Sequence, residues 1–468
     1  MEGEWFGAGT VWSGREVFPA ANRRSEKWLS DCSEERALTR DLMGRVSDLS
    51  NLERACFHVT QNGGSPGVDG MTVKELAKWF RENWRELQES LLTGRYFPSP
   101  VRGVRIPKPS GGYRQLGIPT VRDRLVQQAL HQVLSPRYER IFSARSYGFR
   151  PGRSAHDALH QSSEYVQAGR YYVVDIDLAK FFDEVSHARL LWLLSTRIGD
   201  KRVLKLIGRF LKSGLMEGGL CGQRMKGTPQ GGPLSPLLSN IVLDELDKEL
   251  ERRRHTFVRY ADDLLIFVSS EESGKRVLSS VTDYIEGKLR LKVNRTKSGV
   301  RQCPDVNYLG YRLMAGGIFG LSESSERRFK DKVREITRRN RGTSFEQMLK
   351  ELNLYLVGWL NYFYLCQMKS KLTELMGWVR RKLRCYRLKQ CKRAIGIARL
   401  LWKLGVPKDR GWTTATSRKD WWRKSGTPAA HEGMNLPWFT KIGLKDLVAI
   451  YKVKHPKKPP CTRVRTVV

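Results

Sequence analysis

The run FVRYADDLLIFV, Phe257 to Val268, sets two adjacent carboxylates, Asp262 and Asp263, inside a segment otherwise apolar enough to be a buried strand. In a regular strand, neighbouring side chains point to opposite faces, so two adjacent acids share a task only where the backbone bends beneath them. The bulky residues on either side therefore predict strand, turn, strand, with the acids at the bend. Buried carboxylates are costly when unpartnered, and the usual remedies are basic groups or a metal ion.

The rest of the chain narrows the choice. Its 468 residues, 40% of them hydrophobic, suffice for two or three domains with real cores. Lys and Arg number 84 against 48 Asp and Glu, a net charge of +36, which predicts a polyanionic partner. The charge is uneven. Leu321 to Val468 carry 35 basic and 11 acidic residues, so this end is expected to meet the polyanion. Eight cysteines at 32, 56, 221, 303, 366, 385, 391 and 461 form no C-x-x-C pair and read as reduced structural thiols. The start MEGEWFGAGTVWSG lacks a secretory pattern, and no run of 18 apolar residues occurs. These features predict a soluble cytoplasmic protein with no membrane partner, and nothing in them argues for a homo-oligomer.

Along the chain, SEERALTRDLMGRVSDLSNLERACFHV reads as helical, NGGSPGVDG (Asn62–Gly70) as a Gly-rich loop, and TVKELAKWFRENWRELQESLL as another helix. VRGVRIPKPSGGYRQLGIPT, Val101 to Thr120, alternates apolar and basic residues about a Pro-Ser-Gly-Gly turn and predicts a hairpin presenting Arg105, Lys108 and Arg114. A helix is expected from Val121 to Leu134, and SYGFRPGRSAHDAL leads with Arg150 and Arg153 into the next. YYVVDIDLAKFFDEV reads as an apolar strand ending in Asp175, Asp177 and Asp183. KGTPQGGPLSPLLSNIVLDELDKELERRR is a Gly/Pro loop opening a long amphipathic helix. After another helix, VNYLGYRL reads as a strand. This alternation predicts an α+β or α/β unit to about residue 320, and from Ser325 the texture turns helical and basic.

Acids at strand ends in so basic a protein suit one chemistry: in-line phosphoryl transfer with two Mg²⁺ ions held by carboxylates. At this point a family likeness emerges. In chain order, NGGSPGVDG, IPKPSGGYRQLGIPT, SYGFRPGRSAHDAL, DLAKFFDEVSH, GTPQGGPLSPLLSN, RYADD, NRTKS, YLGY and LNLYLVGWLNYF resemble the reverse transcriptases and maturases encoded by group II introns.

The resemblance implies a right-hand polymerase of α+β class, with fingers and palm followed by an all-α basic thumb and maturase region. The expected divisions are an N-terminal extension at 1–50, fingers and palm at 51–320, thumb and maturase at 321–405, and a basic nucleic-acid-binding region at 406–468. It implies Asp177, Asp262 and Asp263 as catalytic metal ligands for two Mg²⁺, with the backbone carbonyl of Leu178 as a further candidate. It places Lys108, Arg114, Phe182, Gln230 and Lys297 at the nucleotide: the first two on its triphosphate, Phe182 under the sugar, Gln230 beside it. It makes Arg150, Arg153, Arg380, Arg381, Arg384 and Arg387 RNA contacts, the last four within VRRKLRCYRLKQCKR, whose eight cations stand without an acid.

The implied partners are group II intron RNA, an RNA template with a DNA primer, dNTP and target DNA, in a nucleoid-associated ribonucleoprotein. The chain departs from the family at Leu354 and Val357, where Pro and Arg are frequent, and it offers no paired C-x-x-C ligands after Ile395, so a lineage without the HNH nuclease is expected. Two other functions fit the same residues: a reverse transcriptase of a related retroelement or host-defence system, and a non-catalytic splicing cofactor.

Overall fold

The computed structural model describes residues 40–107, 111–217, 220–222, 226–228 and 231–455. Lys108, Gln230, the segment before residue 40 and the tail after residue 455 lie outside the described residues.

The described strands are β1 (Val101–Pro107), β2 (Tyr113–Ile118), β3 (Tyr172–Ile176), β4 (Leu215–Glu217), β5 (Leu220–Gly222), β6 (Thr256–Tyr260), β7 (Asp263–Val268), β8 (Gly299–Gln302), β9 (Val306–Tyr308), β10 (Tyr311–Leu313) and β11 (Phe319–Leu321). They form three sheets, ordered β2-β1-β4-β5, β6-β7-β3-β8 and β11-β10-β9. The second lies at the centre, and all its neighbours are antiparallel.

That sheet explains the opening run. Val174, Ile176, Phe257, Leu264, Ile266 and Val268 enter one hydrophobic core, while Val173, Val258, Leu265 and Phe267 enter a second core on the opposite face. A sheet buried on both sides needs apolar residues at successive positions, so the strands read as continuous hydrophobic runs rather than alternations. Each such side chain contributes roughly 1.5–3 kcal/mol when fully buried.

The first core is closed by helices Leu49–Asn62, Val73–Leu92, Val121–Glu139, His187–Arg197, Lys201–Lys212, Ser235–Arg252 and Glu271–Tyr284. The second is closed by Ala155–Gln167, the β9–β11 sheet, and helices Glu323–Ile336, Phe345–Phe363 and Lys369–Gln390. Strands give way to helices after Leu321, yet the hydrophobic core runs on from sheet to helices without a break. A third, smaller core joins helices Ala394–Lys403, Lys408–Thr416 and Pro428–Gly433.

Several local expectations change. VNYLGYRL is not one strand but a hairpin, Tyr308 facing Tyr311 across Leu309 and Gly310, both in the left-handed region. Two central residues with positive φ are what a tight turn of this twist demands, and Gly310 supplies one of them without steric cost. The first helical stretch is two helices broken at Asp48, whose carboxylate accepts from Ser50 N at 3.0 Å and so starts a new N-terminus. Asp183 sits in a helical turn, Phe181–Glu184, entered through left-handed Lys180, and not at a strand end. Cys56, Cys303, Cys366 and Cys385 are buried free thiols, and burial pushes Cys366 up to about 12, as unreactive structural cysteines require. Among the described residues no helix is long and apolar enough to cross a membrane.

Candidate active site

β6 and β7 form a hairpin closed by the Tyr260–Asp263 pair, with Ala261 and Asp262 as its loop. Asp262 stands in the turn and Asp263 begins the strand, so the bend expected from sequence falls between strand partners. Ala261 adopts φ 57°, and the turn is propped from beneath. Arg259 is 1% exposed. It donates from Nε to Asp247 Oδ1 at 2.7 Å, and from Nη1 to Asn240 Oδ1 at 3.1 Å and to the carbonyl of Ala261 at 2.8 Å. Asn240 in turn donates to the Gly148 carbonyl at 2.9 Å. A Cβ on Gly148 would stand 2.2 Å from Ala261 N, so only glycine lets this loop lie against the turn.

Asp177 follows β3 directly. Because Ile176 faces Leu264, continuing the same register brings Asp177 level with Asp263. The segment is held from its other side: Asn294 N donates to Asp177 O at 2.8 Å, Ser298 Oγ accepts from Asp177 N at 2.9 Å, and Leu178 bridges Val293. Asn294 Nδ2 reaches the Asp177 carboxylate at 2.9 Å, and Lys297 Nζ lies 3.7 Å from it. Asp175 is a neighbour tied to Arg301 at 3.5 Å, and burial is the main force raising its pKa.

The acids feel one another. Asp263 begins its strand exposed to solvent, and its pKa is pushed up to about 6 by partial desolvation at the sheet end and by the charges of Asp262, Asp177 and Asp175, with Lys297 opposing. Such a set of hard oxygen donors suits a divalent cation, whose charge would offset the repulsion. No three His, Cys, Asp or Glu side chains among the described residues stand as a ready-made metal cluster. The Asp177 carboxylate is instead turned toward Asn294 and Lys297.

A cleft of about 670 Å³ is lined by Arg114 of β2, Phe182, Phe149, Gly231 and Gly232, and by Gly63 and Gly64 of the Gly-rich loop. Phe182 forms a largely buried wall, its ring edge-on to Phe181. The two loop glycines permit close approach to protein: a Cβ on Gly231 would stand 2.7 Å from Gly117 O, and one on Gly232 2.1 Å from Gln127 Oε1. Buried Arg124 donates to the carbonyls of Gly63 (3.3 Å) and Ser65 (2.6 Å), fixing the Gly-rich loop at the cleft mouth. Thus Arg114, Phe182 and the glycines share one cavity, with the hairpin acids and Lys297 grouped about Asp177.

The expected RNA contacts fare differently. Arg150 is 6% exposed and donates to Glu139, Ser143 O and Ser146 O, so it is a structural anchor of its loop rather than a surface cation. Arg153 is half-buried, over the ring of Tyr147 and bonded to Ala144 O. Arg384 is buried, donates to Met434 O at 3.0 Å and lies over Phe439. Arg380, Arg381 and Arg387 are half-buried, with Arg381 over Trp422 and Arg387 over Phe345. Helix Lys369–Gln390 is therefore packed into the surrounding chain along its middle, with Lys369, Ser370, Thr373, Glu374 and Lys389 left exposed. Its cations are dense because they snorkel between aromatic faces contributed by the chain around it. The cations beyond its end, Lys392, Arg393, Arg399 and Lys403, are exposed.

Sequence reading missed the Arg259–Asp247–Asn240 prop and the hold of Asn294 and Ser298 on Asp177. Arg259 inside an apolar run was the available signal, since a strand buried on both faces admits a cation only with a buried partner.

Residues 106–313 match the family model described as reverse transcriptase (RNA-dependent DNA polymerase), and residues 326–404 match the group II intron maturase-specific domain. The chain is 34% identical over 292 residues to Protein YkfC of Escherichia coli (strain K12), covering 53% of this chain and 76% of that protein. It is 41% identical over 179 residues to the group II intron-encoded protein LtrA of Lactococcus lactis subsp. cremoris, covering 38% of this chain and 30% of that protein. Among solved structures, a chain of the partial Cas6-RT-Cas1–Cas2 complex aligns at 24% identity and TM-score 0.34, covering 53% of this chain and 43% of that one.

Proposed function

The chain belongs to the group II intron-encoded reverse transcriptases and maturases, and on that premise we propose that it polymerises DNA on an RNA template at the Asp177–Asp262–Asp263 centre. The observation that supports the proposal is the register of the central sheet, which sets Asp177 level with Asp263 and next to the turn that carries Asp262. The finer architecture follows as part of this reading: fingers around β1, β2 and the Gly-rich loop, a palm built on the central sheet, and a helical thumb and maturase region from residue 321, with residues 406–468 as a basic extension. The partners proposed are the intron RNA, a template–primer duplex, dNTP and target DNA.

Each residue has a defined task in this reading. Asp262, Asp263 and Asp177, with the Leu178 carbonyl, would hold two Mg²⁺. The chemistry such ions would supply there is a lowered pKa for the attacking 3′-hydroxyl and charge compensation for the leaving pyrophosphate. Arg114 and Lys108 would bind the nucleotide phosphates through charge-assisted hydrogen bonds, and Gln230 would pack beside the nucleotide. The Phe182 ring occupies the volume a ribose 2′-hydroxyl would need. Lys297 neutralises Asp177 and stays beside the phosphate path, and the prop beneath Ala261 keeps the hairpin turn in one conformation.

The test is primer extension on an RNA template with dNTPs and Mg²⁺. Asp262→Ala and Asp177→Ala are expected to reduce extension to background while leaving RNA binding intact. A second readout is independent of turnover: Mg²⁺ raises the melting temperature of the parent and fails to raise that of Asp262→Asn. Full extension by either alanine variant would remove the catalytic assignment, and a parent that extends no primer would leave the non-catalytic splicing cofactor.

A further inference from the structure

Phe149 is an anomaly in the loop it occupies. Its neighbours are all committed to the interior: Ser146 is fully buried and bridges Arg259, Tyr147 is buried and donates its backbone N–H to Arg259 O at 2.9 Å, and Gly148 lies against Ala261 with its carbonyl on Asn240. Arg150 is the buried anchor of the same loop. Phe149 alone of this group turns outward. It is 48% exposed, and its backbone adopts φ 60°, a left-handed conformation that disfavours a bulky L-residue.

A large apolar residue that is both exposed and strained gains nothing for the fold. Asn or Gly would relieve the backbone, and a polar side chain would suit the exposure better. Strained conformations of this kind persist where the surrounding structure over-determines them, and they gather at binding sites. The exposed ring lines the same cleft as Arg114, Phe182, Gly231 and Gly232. Because Gly148 is seated directly on the hairpin turn, the ring is positioned rigidly with respect to Asp262 and Asp263.

We infer that Phe149 is a substrate-contacting residue whose ring stacks on a nucleobase of the pair being formed, fixing its plane relative to the three acids. The inference rests on the polymerase reading above and adds a base-recognition element to it. Every nucleobase offers a π-face, so such a platform strengthens binding without selecting sequence. Phe182 and Phe149 then divide the work: the first limits what the sugar carries, the second holds the base.

The experiment compares Phe149→Asn, Phe149→Leu and Phe149→Tyr in the full chain. Asn tolerates the left-handed backbone and removes the ring; Leu keeps the bulk and the strain but has no π-face; Tyr keeps the face. Single-nucleotide incorporation on an RNA template should show kcat/KM for dNTP reduced roughly tenfold in Asn and Leu, mainly through KM, and within about twofold of the parent in Tyr. The Asn variant should melt no lower than the parent, because strain is relieved. A turnover-independent arm uses a template with 2-aminopurine at the templating position: its fluorescence is quenched on binding parent and Tyr variant, and less by Asn and Leu. An inert parent whose quench still depends on Phe149 would overturn the polymerase reading and keep this inference. An active parent with kinetics and quench indifferent to all three substitutions would overturn the inference, as would an Asn variant that melts lower and binds dNTP normally.

Discussion

Replacing Asp247 with alanine tests whether the turn that carries Asp262 depends on what lies beneath it. Asp247 and Arg259 are 0% and 1% exposed as side chains, and they meet through two N–O hydrogen bonds, one of them at 2.7 Å. Neither can reach water, so Asp247→Ala leaves the guanidinium buried with Asn240 Oδ1 and Ala261 O as its remaining acceptors. Breaking a buried pair by removing one partner costs about 3–5 kcal/mol. At roughly 2–4 °C per kcal/mol for units of this size, the melting temperature should fall by about 6–20 °C. Replacing both partners, as in Asp247→Leu with Arg259→Met, removes the uncompensated charge and should recover most of that loss.

Activity should not recover with it, because the double variant has no donor for Ala261 O and the turn carrying Asp262 is no longer fixed. Urea unfolding and single-turnover primer extension on an RNA template, run on both variants, separate the two effects. Asp247→Ala unfolding within about 1 kcal/mol of the parent would refute the energetic argument. A double variant that extends primers at the parental rate would refute the positioning argument.

Three other outcomes follow. Phe182→Ala opens the wall of the cleft and should admit ribonucleotides, read as a rise in rNTP incorporation relative to dNTP; unchanged discrimination would make the ring ordinary core. Neutralising the exposed Lys392, Arg393, Arg399 and Lys403 should weaken intron RNA binding and flatten log K against log salt by about 0.7–0.9 for each phosphate no longer neutralised, whereas Arg384→Met should lower stability and leave the slope nearly unchanged. His131 is held below the usual imidazole range by burial, so the unfolded chain takes up a proton first as pH falls through about 6.5. Stability should therefore drop on the acid side of that value until the folded pKa is passed, and His131→Gln should flatten the drop in a series of melts between about pH 7.5 and 5.

The continuous apolar run around Asp262 and Asp263 was enough to place a strand, a bend and a second strand, because that pattern depends on local geometry alone. The order of motifs identified the family, and the resemblance singled out Asp177, Asp262 and Asp263 as candidates, since motif spacing survives in the chain whatever the packing. The β1–β2 hairpin and the switch to helices after Leu321 were legible for the same local reasons. Which cations face solvent was not. The density of Lys and Arg in VRRKLRCYRLKQCKR reads identically for a surface stripe and for a packed helix, and only the arrival of Trp422, Phe439 and Phe345 from distant segments decides between them. The prop under Ala261 is likewise invisible in one dimension. Asp247, Asn240 and Gly148 are separated in sequence by up to 99 positions, and they act on one turn only because the central sheet, its helix and its loop are packed together. Sequence determines which groups are available and which backbone shapes they favour. Burial, and therefore the strength of every charge interaction in this protein, is set by the tertiary structure that removes water from around them.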